Sequence, residues 1–568
     1  MLAAITFLFC LLAARFFYVQ VAWSGELGVR ALDQWTREIP VVAERGKIVD
    51  RNGVVLAENS TSYAVFARAN AVSDKAGTAK LLADALGGDE ALLLDKLNSA
   101  RASEITIARH ADKSAIEKIA EAAPDGVYFA RDNTRVYPKG DSLCQVLGFT
   151  SSDNSGTTGI EKYYDKYLAG EDGELLYETD LVGVELEGAV AAYLPAEDGM
   201  NVRLTIDYGI QAVAESALAK MAETYSPVSA ECIVLDPDTF EILALAGYPS
   251  YDLNDVPRNE PELLNSLSRN RIVSDIYEPG STFKIVTAAA DIEEWLRGNT
   301  SAFSDKYVFP SSRTRSVDGT TVKCWSAHAN GRHCNQTLAD ALNNSCNPCF
   351  TDIALSLGRE TFYDYLSAFG FGKATGVDFS GEALGMLLPE TAVRDCDLAR
   401  IGFGQTIAVS GLQLACAAAA AVNGGYYYTP HLVKSIYASD GYVLQEVEPA
   451  LKNRTIGEEA SGILAGMLEG VVRDGSGKKA YIEGYRVGGK TGTAQKYEDG
   501  HIAAGKYVSS FVGFFPADDP EYLALVIALV IVDEPQGAYY GSVVAAPCAK
   551  EIFEGIIALK NIQPRGSE

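Results

Sequence analysis

Three short motifs follow one another along the chain. Ser281-Thr-Phe-Lys284 comes first, Ser345-Cys346-Asn347 second and Lys490-Thr491-Gly492-Thr493 last. Together they supply one nucleophile and two amines able to manage its proton. A serine hydroxyl attacks poorly until a base takes that proton, and a lysine that is desolvated and close to another cation is neutral enough to do so. The chemistry implied is acyl transfer: the serine breaks an amide and carries the acyl group as an ester.

Each motif alone is weak, and the order gives the trio its weight. A second Ser-x-x-Lys, Ser476 to Lys479, lies in a glycine-rich loop that fixes nothing over the serine. Further Ser-x-Asn pairs, Ser152/Asn154 and Ser268/Asn270, both precede Ser281. The bland alternatives are a helix cap with a solvated lysine at Ser281/Lys284, a turn at Ser345, and an ordinary strand at Lys490.

The surrounding sequence predicts how the motifs are held. Glu278-Pro279-Gly280 sets a helix start, so Thr282 onward continues as a helix and Ser281 shares a face with Lys284. The free N–H groups of that first turn favour a developing oxyanion. The Ser345 hydroxyl can relay a proton, and the Asn347 amide can hold a substrate amide. Lys490 to Thr493 is expected on a strand. Its edge can pair with an extended peptide, Gly492 admits a close backbone approach, the Thr493 N–H is a second oxyanion donor, and Lys490, Thr491 and Thr493 attract a carboxylate.

Two regions carry the strands. Ala230–Leu235 and Ile242–Ala246 come early; 485–494, Tyr507–Phe515 and 523–532 come late. Five strands with helices between them predict an α+β domain, one antiparallel sheet packed by helices, with a final helix over Ala549–Leu559. Upstream, residues 75–130 alternate helical stretches and short strands, an elongated α+β support. Asn52-Gly53 between two apolar runs predicts a hairpin with a primed turn. The expected division is 1–23 a membrane anchor, 24–200 the support, 201–562 the catalytic domain and 563–568 a tail.

At 568 residues the chain exceeds what one core supports. A net charge of −27 offers phosphates no basic patch, so no nucleic-acid partner is expected. Met1 to Ala14 is apolar; fourteen helical residues span about 21 Å against a hydrocarbon core of about 30 Å. Arg15 can snorkel, and Phe16, Phe17, Tyr18 and Trp23 suit an interface. An uncleaved single-pass anchor with the remainder outside the cell is expected, and the missing basic flank suggests a start codon further upstream. A cleaved signal peptide is the alternative.

Past the trio, the chain resembles the class B penicillin-binding proteins of the division and sporulation type. Arg45-Gly46 with Asp50-Arg51-Asn52-Gly53 looks like the family's first pedestal motif, and Arg135-Val-Tyr-Pro138 and Gly159-Ile-Glu161 look like later ones. Leu204-Thr-Ile-Asp207 with Gln211, Gly402-Phe-Gly-Gln405, and Tyr539-Tyr-Gly541 with Ala545-Ala-Pro547 fall where the family has them. The resemblance implies a penicillin-binding, serine β-lactamase-like transpeptidase fold on a dimerisation-type pedestal. It implies Ser281 as nucleophile, Lys284 as its base, and Ser345, Asn347 and Lys490 as the proton and substrate network. Peptidoglycan stem peptides ending in D-Ala-D-Ala would be the substrates and β-lactams the inhibitors. Partners would be a polytopic glycan polymerase of the SEDS family and other divisome or sporulation membrane proteins. No cofactor is implied.

A β-lactamase shares the trio, but no extra carboxylate motif for activating water is visible. A D,D-carboxypeptidase differs only in letting water attack, and an inactive divisome scaffold would not need every expected side chain. Of ten cysteines, Cys144, Cys232, Cys416 and Cys548 read as buried thiols. Cys324, Cys334, Cys346 and Cys349 cluster around the second motif, and a disulfide from Cys346 to Cys324 or Cys334 would make the site redox-sensitive. Zinc on Cys324, His328, His333 and Cys334 fits no closed-finger spacing.

Overall fold

The computed structural model describes residues 1–24, 36–99, 104–179, 185–310, 314–325, 335–498, 501–516 and 526–564. It contains two compact units: Met1–Gly46 with Glu58–Arg135 and Lys166–Met200, and Lys47–Ala57 with Val136–Asp165 and Asn201–Glu568.

The first unit begins with the helix Leu2–Phe17, whose apolar side chains are exposed. Its 16 residues reach about 24 Å, and no helix among the described residues is long and apolar enough to cross a membrane. The expected anchor over 1–23 is therefore not established by its length. The helices Lys75–Leu86, Glu90–Ser99 and Lys113–Ala122 appear where the apolar spacing predicts them. They bury Leu82, Leu97, Ile116 and Ile119 with Val65 in one small core. Asp74 caps the first of these helices by accepting from the Gly77 N–H, and Gly87 closes it in the left-handed region.

The hairpin at Asn52-Gly53 forms, but its turn is not a primed one. Only Gly53 is left-handed, at φ +89°. The reason is Asp50, 1% exposed, whose carboxylate accepts from the Asn52 N–H at 2.8 Å and the Val54 N–H at 2.7 Å. Neither Arg51 nor Asn52 takes the positive φ a primed turn requires, and the Gly53 N–H closes the turn on the Asp50 carbonyl. Asp50 also accepts from the Tyr208 N–H at the start of helix α1 (Tyr208–Tyr225).

The second unit is built on a five-stranded antiparallel sheet. Its strands are β1 (Ser229–Leu235), β2 (Ile242–Tyr248), β3 (Gly488–Glu498), β4 (His501–Phe515) and β5 (Val526–Asp533), in the order β2-β1-β5-β4-β3. The sequence prediction of two early and three late strands holds. The central strands are covered on both faces, which explains their unbroken apolar runs. One face, through Cys232, Val234, Phe511, Phe515 and Val530, packs on α1 and on the last helix, Ala545–Lys560. The opposite face meets a helical layer that includes α2 (Lys284–Leu296), α3 (Leu338–Asn343), α4 (Asn347–Leu357) and α5 (Gly411–Val422). β3 is one of the sheet's two edge strands, opposite β2, and runs along that layer. Cys144, Cys232, Cys416 and Cys548 are buried free thiols, as expected.

Candidate active site

Ser281 sits in a 3-10 turn, Gly280–Phe283, that runs straight into α2 at Lys284. The regular helix thus starts at Lys284, two residues later than the Thr282 that the sequence suggests. Gly280 is the reason for the tight entry: it takes φ +55° and donates its N–H to the Gly404 carbonyl at 2.9 Å. Gly404 is itself left-handed, and a Cβ built there would lie 2.0 Å from the Gly280 carbonyl oxygen. The Gly402–Gln405 motif is therefore the clamp on the turn that presents the nucleophile. Glu278 reinforces it by accepting from the Thr406 N–H at 2.9 Å.

Ser345 and Asn347 lie at the junction of α3 and α4. Thr337 caps α3 through a capping box with Asp340, and α4 opens at Asn347 with Pro348 in its first turn. Ser345, between them, is left-handed at φ +53°. That strained backbone turns both its carbonyl and its hydroxyl toward Lys284.

The three motifs converge. Lys284 Nζ is 3.1 Å from Ser281 Oγ, 3.2 Å from Ser345 Oγ, 2.8 Å from the Ser345 carbonyl and 2.7 Å from Asn347 Oδ1. Lys490 Nζ is 3.0 Å from Ser345 Oγ and 3.2 Å from the Thr491 carbonyl. Both lysine side chains are fully buried. An ammonium has three protons, and Lys284 has four neighbours. As a neutral amine it donates to the two shortest acceptors, the Ser345 carbonyl and Asn347 Oδ1, and keeps its lone pair for a hydroxyl proton. Burial favours that form, lowering Lys284 to about 8 from its ordinary 10.5. Lys490 is also lowered well below 10.5, first by burial and then by the charge of Lys284.

β3, an edge strand of the sheet, carries Lys490, Thr491, Gly492 and Thr493, the strand placement the sequence predicts. Gly492 is needed for packing: a Cβ there would meet Ser510 Oγ at 2.4 Å and the Pro279 carbonyl at 3.0 Å. The Thr493 hydroxyl accepts from the Gly541 N–H at 3.0 Å, which ties the Tyr539–Gly541 segment to the motif strand. Ser476, of the second Ser-x-x-Lys, lies in the loop Gly475-Ser476-Gly477 and not in the turn that leads into α2. Its hydroxyl nevertheless lies 3.3 Å from Thr491 Oγ1, so its loop lines the motif strand. A Gly-Ser-Gly loop gives no sign in sequence of which strand it will meet.

Cys324, Cys346 and Cys349 are buried, and Cys346 and Cys349 are free thiols. Cys346 sulfur hydrogen-bonds with both Cys324 and Cys349, which lowers its thiol, while donation to Cys346 and burial raise Cys349. All three sulfurs are close enough to Lys284 to act on its charge. Cys334, His328 and His333 lie outside the described residues.

Comparison with known proteins agrees with this geometry. Residues 231–554 match the family model of the penicillin binding protein transpeptidase domain, and residues 40–204 match that of the penicillin-binding protein dimerisation domain. The chain is 37% identical to the stage V sporulation protein D of Bacillus subtilis, over 99% of this chain and 85% of that one. It is 29% identical to the peptidoglycan D,D-transpeptidase FtsI of Escherichia coli, over 98% and 91%. The crystal structure of penicillin binding protein 3 from Mycobacterium tuberculosis, complexed with aztreonam, superposes with a TM-score of 0.70 at 25% identity, covering 93% of this chain and 98% of that one. A buried serine–lysine–serine–lysine chain at the edge of a five-stranded sheet, with a matching dimerisation domain, places this protein in the class B penicillin-binding protein family of serine transpeptidases.

Proposed function

We propose that this peptidoglycan D,D-transpeptidase works by an acyl-enzyme on Ser281, with the following division of labour. Neutral Lys284 takes the Ser281 proton as the hydroxyl attacks the penultimate D-Ala carbonyl of a stem peptide. The oxyanion develops toward the N–H groups of Ser281 and Thr493. Ser345, bridged to Lys490, returns a proton to the departing D-Ala amine; the amine of a second stem peptide then attacks the ester. Asn347 holds Lys284 and the substrate amide, and Thr491 and Thr493 receive the terminal carboxylate. The observation that carries this reading is the 3.1 Å approach of a lowered, fully buried Lys284 amine to Ser281 Oγ. A fluorescent penicillin should label the protein, and Ser281→Ala should not be labelled. Rapid loss of the label would point to a β-lactamase instead.

The membrane role belongs to the same proposal. The helix Leu2–Phe17 exposes Leu8, Phe9, Leu11, Leu12, Phe16 and Phe17, an apolar surface suited to lipid. Residues 24–200 would then serve as a pedestal-type dimerisation domain and 201–562 as the catalytic domain, both outside the cell, with a glycan polymerase of the SEDS family as partner. The sporulation name of the 37% identical relative favours work in spore formation over septation. Depletion followed by microscopy of dividing and sporulating cells separates the two.

A further inference from the structure

A short hairpin precedes the second motif, with Thr314–Val317 paired antiparallel to Thr320–Lys323. Its turn is Asp318-Gly319, at φ +48° and +73°, the two left-handed residues that a primed loop needs. A lone two-stranded hairpin is marginal in water, so whatever anchors this one decides where it lies. Two contacts do so. At the turn, the Asp318 carboxylate accepts from the Cys396 N–H at 3.1 Å, in the first turn of the helix Asp395–Ile401. At the open end, Arg315 forms a fork with Asp352 of α4: Nε lies 2.7 Å from Oδ1 and Nη2 lies 2.7 Å from Oδ2. The two side chains are 26% and 21% exposed, so this bidentate pair is stronger than a freely solvated one.

The strand register sets Lys323 opposite Thr314, beside Arg315 at the anchored end. There the Lys323 carbonyl accepts from Asn347 Nδ2 at 3.4 Å, while Asn347 Oδ1 faces Lys284 Nζ at 2.7 Å. The two ends of an asparagine amide are alike in shape and opposite in polarity. Turned over, Nδ2 would donate to the lone pair of Lys284, the place the Ser281 proton must reach. The same turn would set Oδ1 against the Lys323 carbonyl, oxygen to oxygen. The hairpin therefore selects the amide orientation that leaves the base free.

We propose that Arg315 is a positioning residue for acyl transfer: its fork with Asp352 fixes the hairpin, and the Lys323 carbonyl then fixes the Asn347 amide so that Lys284 can accept the Ser281 proton. This role rests on Lys284 being the base, as in the mechanism above. Arg315 donates to Asp352 and not to Ser281, Lys284, Ser345 or Lys490, so its effect runs through Asn347. The second Nδ2 proton stays available to a substrate carbonyl. Releasing the hairpin has a distinctive sign. A turned amide takes an acceptor from the ammonium form of Lys284 and gives a donor to its neutral form, which moves the midpoint below about 8. A hairpin that merely admitted water would move it upward, toward 10.5.

Two readouts on the full chain across a pH series test this: the rate of acylation by benzylpenicillin, and the Cε resonance of Lys284 in carbon-13 lysine-labelled protein, identified by its absence from Lys284→Met. Arg315→Ala should lower the plateau rate at least tenfold and move the Lys284 midpoint downward. Asp352→Asn, which keeps the shape, should act in the same direction, and it carries the test should Arg315→Ala not fold. In an Asn347→Ala background, Arg315→Ala should slow acylation no further. An unchanged rate, a midpoint moved upward, or a full effect of Arg315→Ala in the absence of Asn347 would each overturn the proposal. Wild-type protein that penicillin fails to label would count against the acyl-enzyme instead, while the Lys284 resonance still decides whether Arg315 governs that amine.

Discussion

The Ser345 hydroxyl lies 3.0 Å from Lys490 Nζ, though 145 positions separate the two residues. The contact joins the helical layer to an edge strand of the sheet at one oxygen atom, which Lys284 reaches from the other side. In the proposed mechanism, proton traffic between donor ester and acceptor amine would pass through a group that belongs to neither lysine. Ser345→Ala should keep its fold and slow acylation by penicillin by about 100-fold, the usual scale for losing a positioned proton donor. Stopped-flow labelling measures it; an unchanged rate would remove Ser345 from the relay.

The lowered Lys284 amine predicts a pH profile. Below about 8 the amine is protonated and cannot accept the Ser281 proton, so the acylation rate should climb about tenfold per pH unit and level off near pH 8. Burial sets this value, so admitting water should move it. Phe350, whose ring lies 5.3 Å from Lys284 Nζ, is the wall to open. Phe350→Ala should shift the midpoint upward, toward the ordinary lysine value of 10.5. A profile flat between pH 6 and 9 would show that Lys284 is not the base.

Gly404 has no side chain to contribute, yet its substitution should be among the more damaging. Any Cβ there meets the Gly280 carbonyl and sits at φ +81°. Gly404→Ala is expected to cost about 1–3 kcal/mol in backbone strain and to displace the Ser281 turn. Both a lower melting temperature and slower penicillin labelling should appear. Lower stability with normal labelling would mean that the clamp holds the fold and not the nucleophile.

The chemistry was legible in the sequence because it is local at each motif: Ser281 and Lys284 are one turn apart, and Lys490 to Thr493 form one strand edge. The sheet was legible because its central strands are apolar on both faces and cannot be mistaken for surface. What escaped was set by contacts at long sequence distance. The Asp50 carboxylate overrode the local preference of Asn52-Gly53, and the Ser476 loop met Thr491 with no periodic signal of its own.

The thiols beside the base give the last prediction. Cys346 sulfur is in hydrogen-bond contact with Cys324 and Cys349, and the Cys346 backbone joins the two residues that hold Lys284, Ser345 and Asn347. A disulfide needs its sulfurs at about 2 Å, closer than hydrogen-bonded thiols stand, and closing one from Cys346 would act on the backbone between Ser345 and Asn347. Mild oxidation with diamide should therefore slow penicillin labelling, and dithiothreitol should restore it. Cys346→Ala should label at the reduced wild-type rate and be indifferent to diamide, while Cys324→Ala and Cys349→Ala show by thiol counting which partner closes the bond. Persisting sensitivity in Cys346→Ala would place the oxidised thiol elsewhere in the chain.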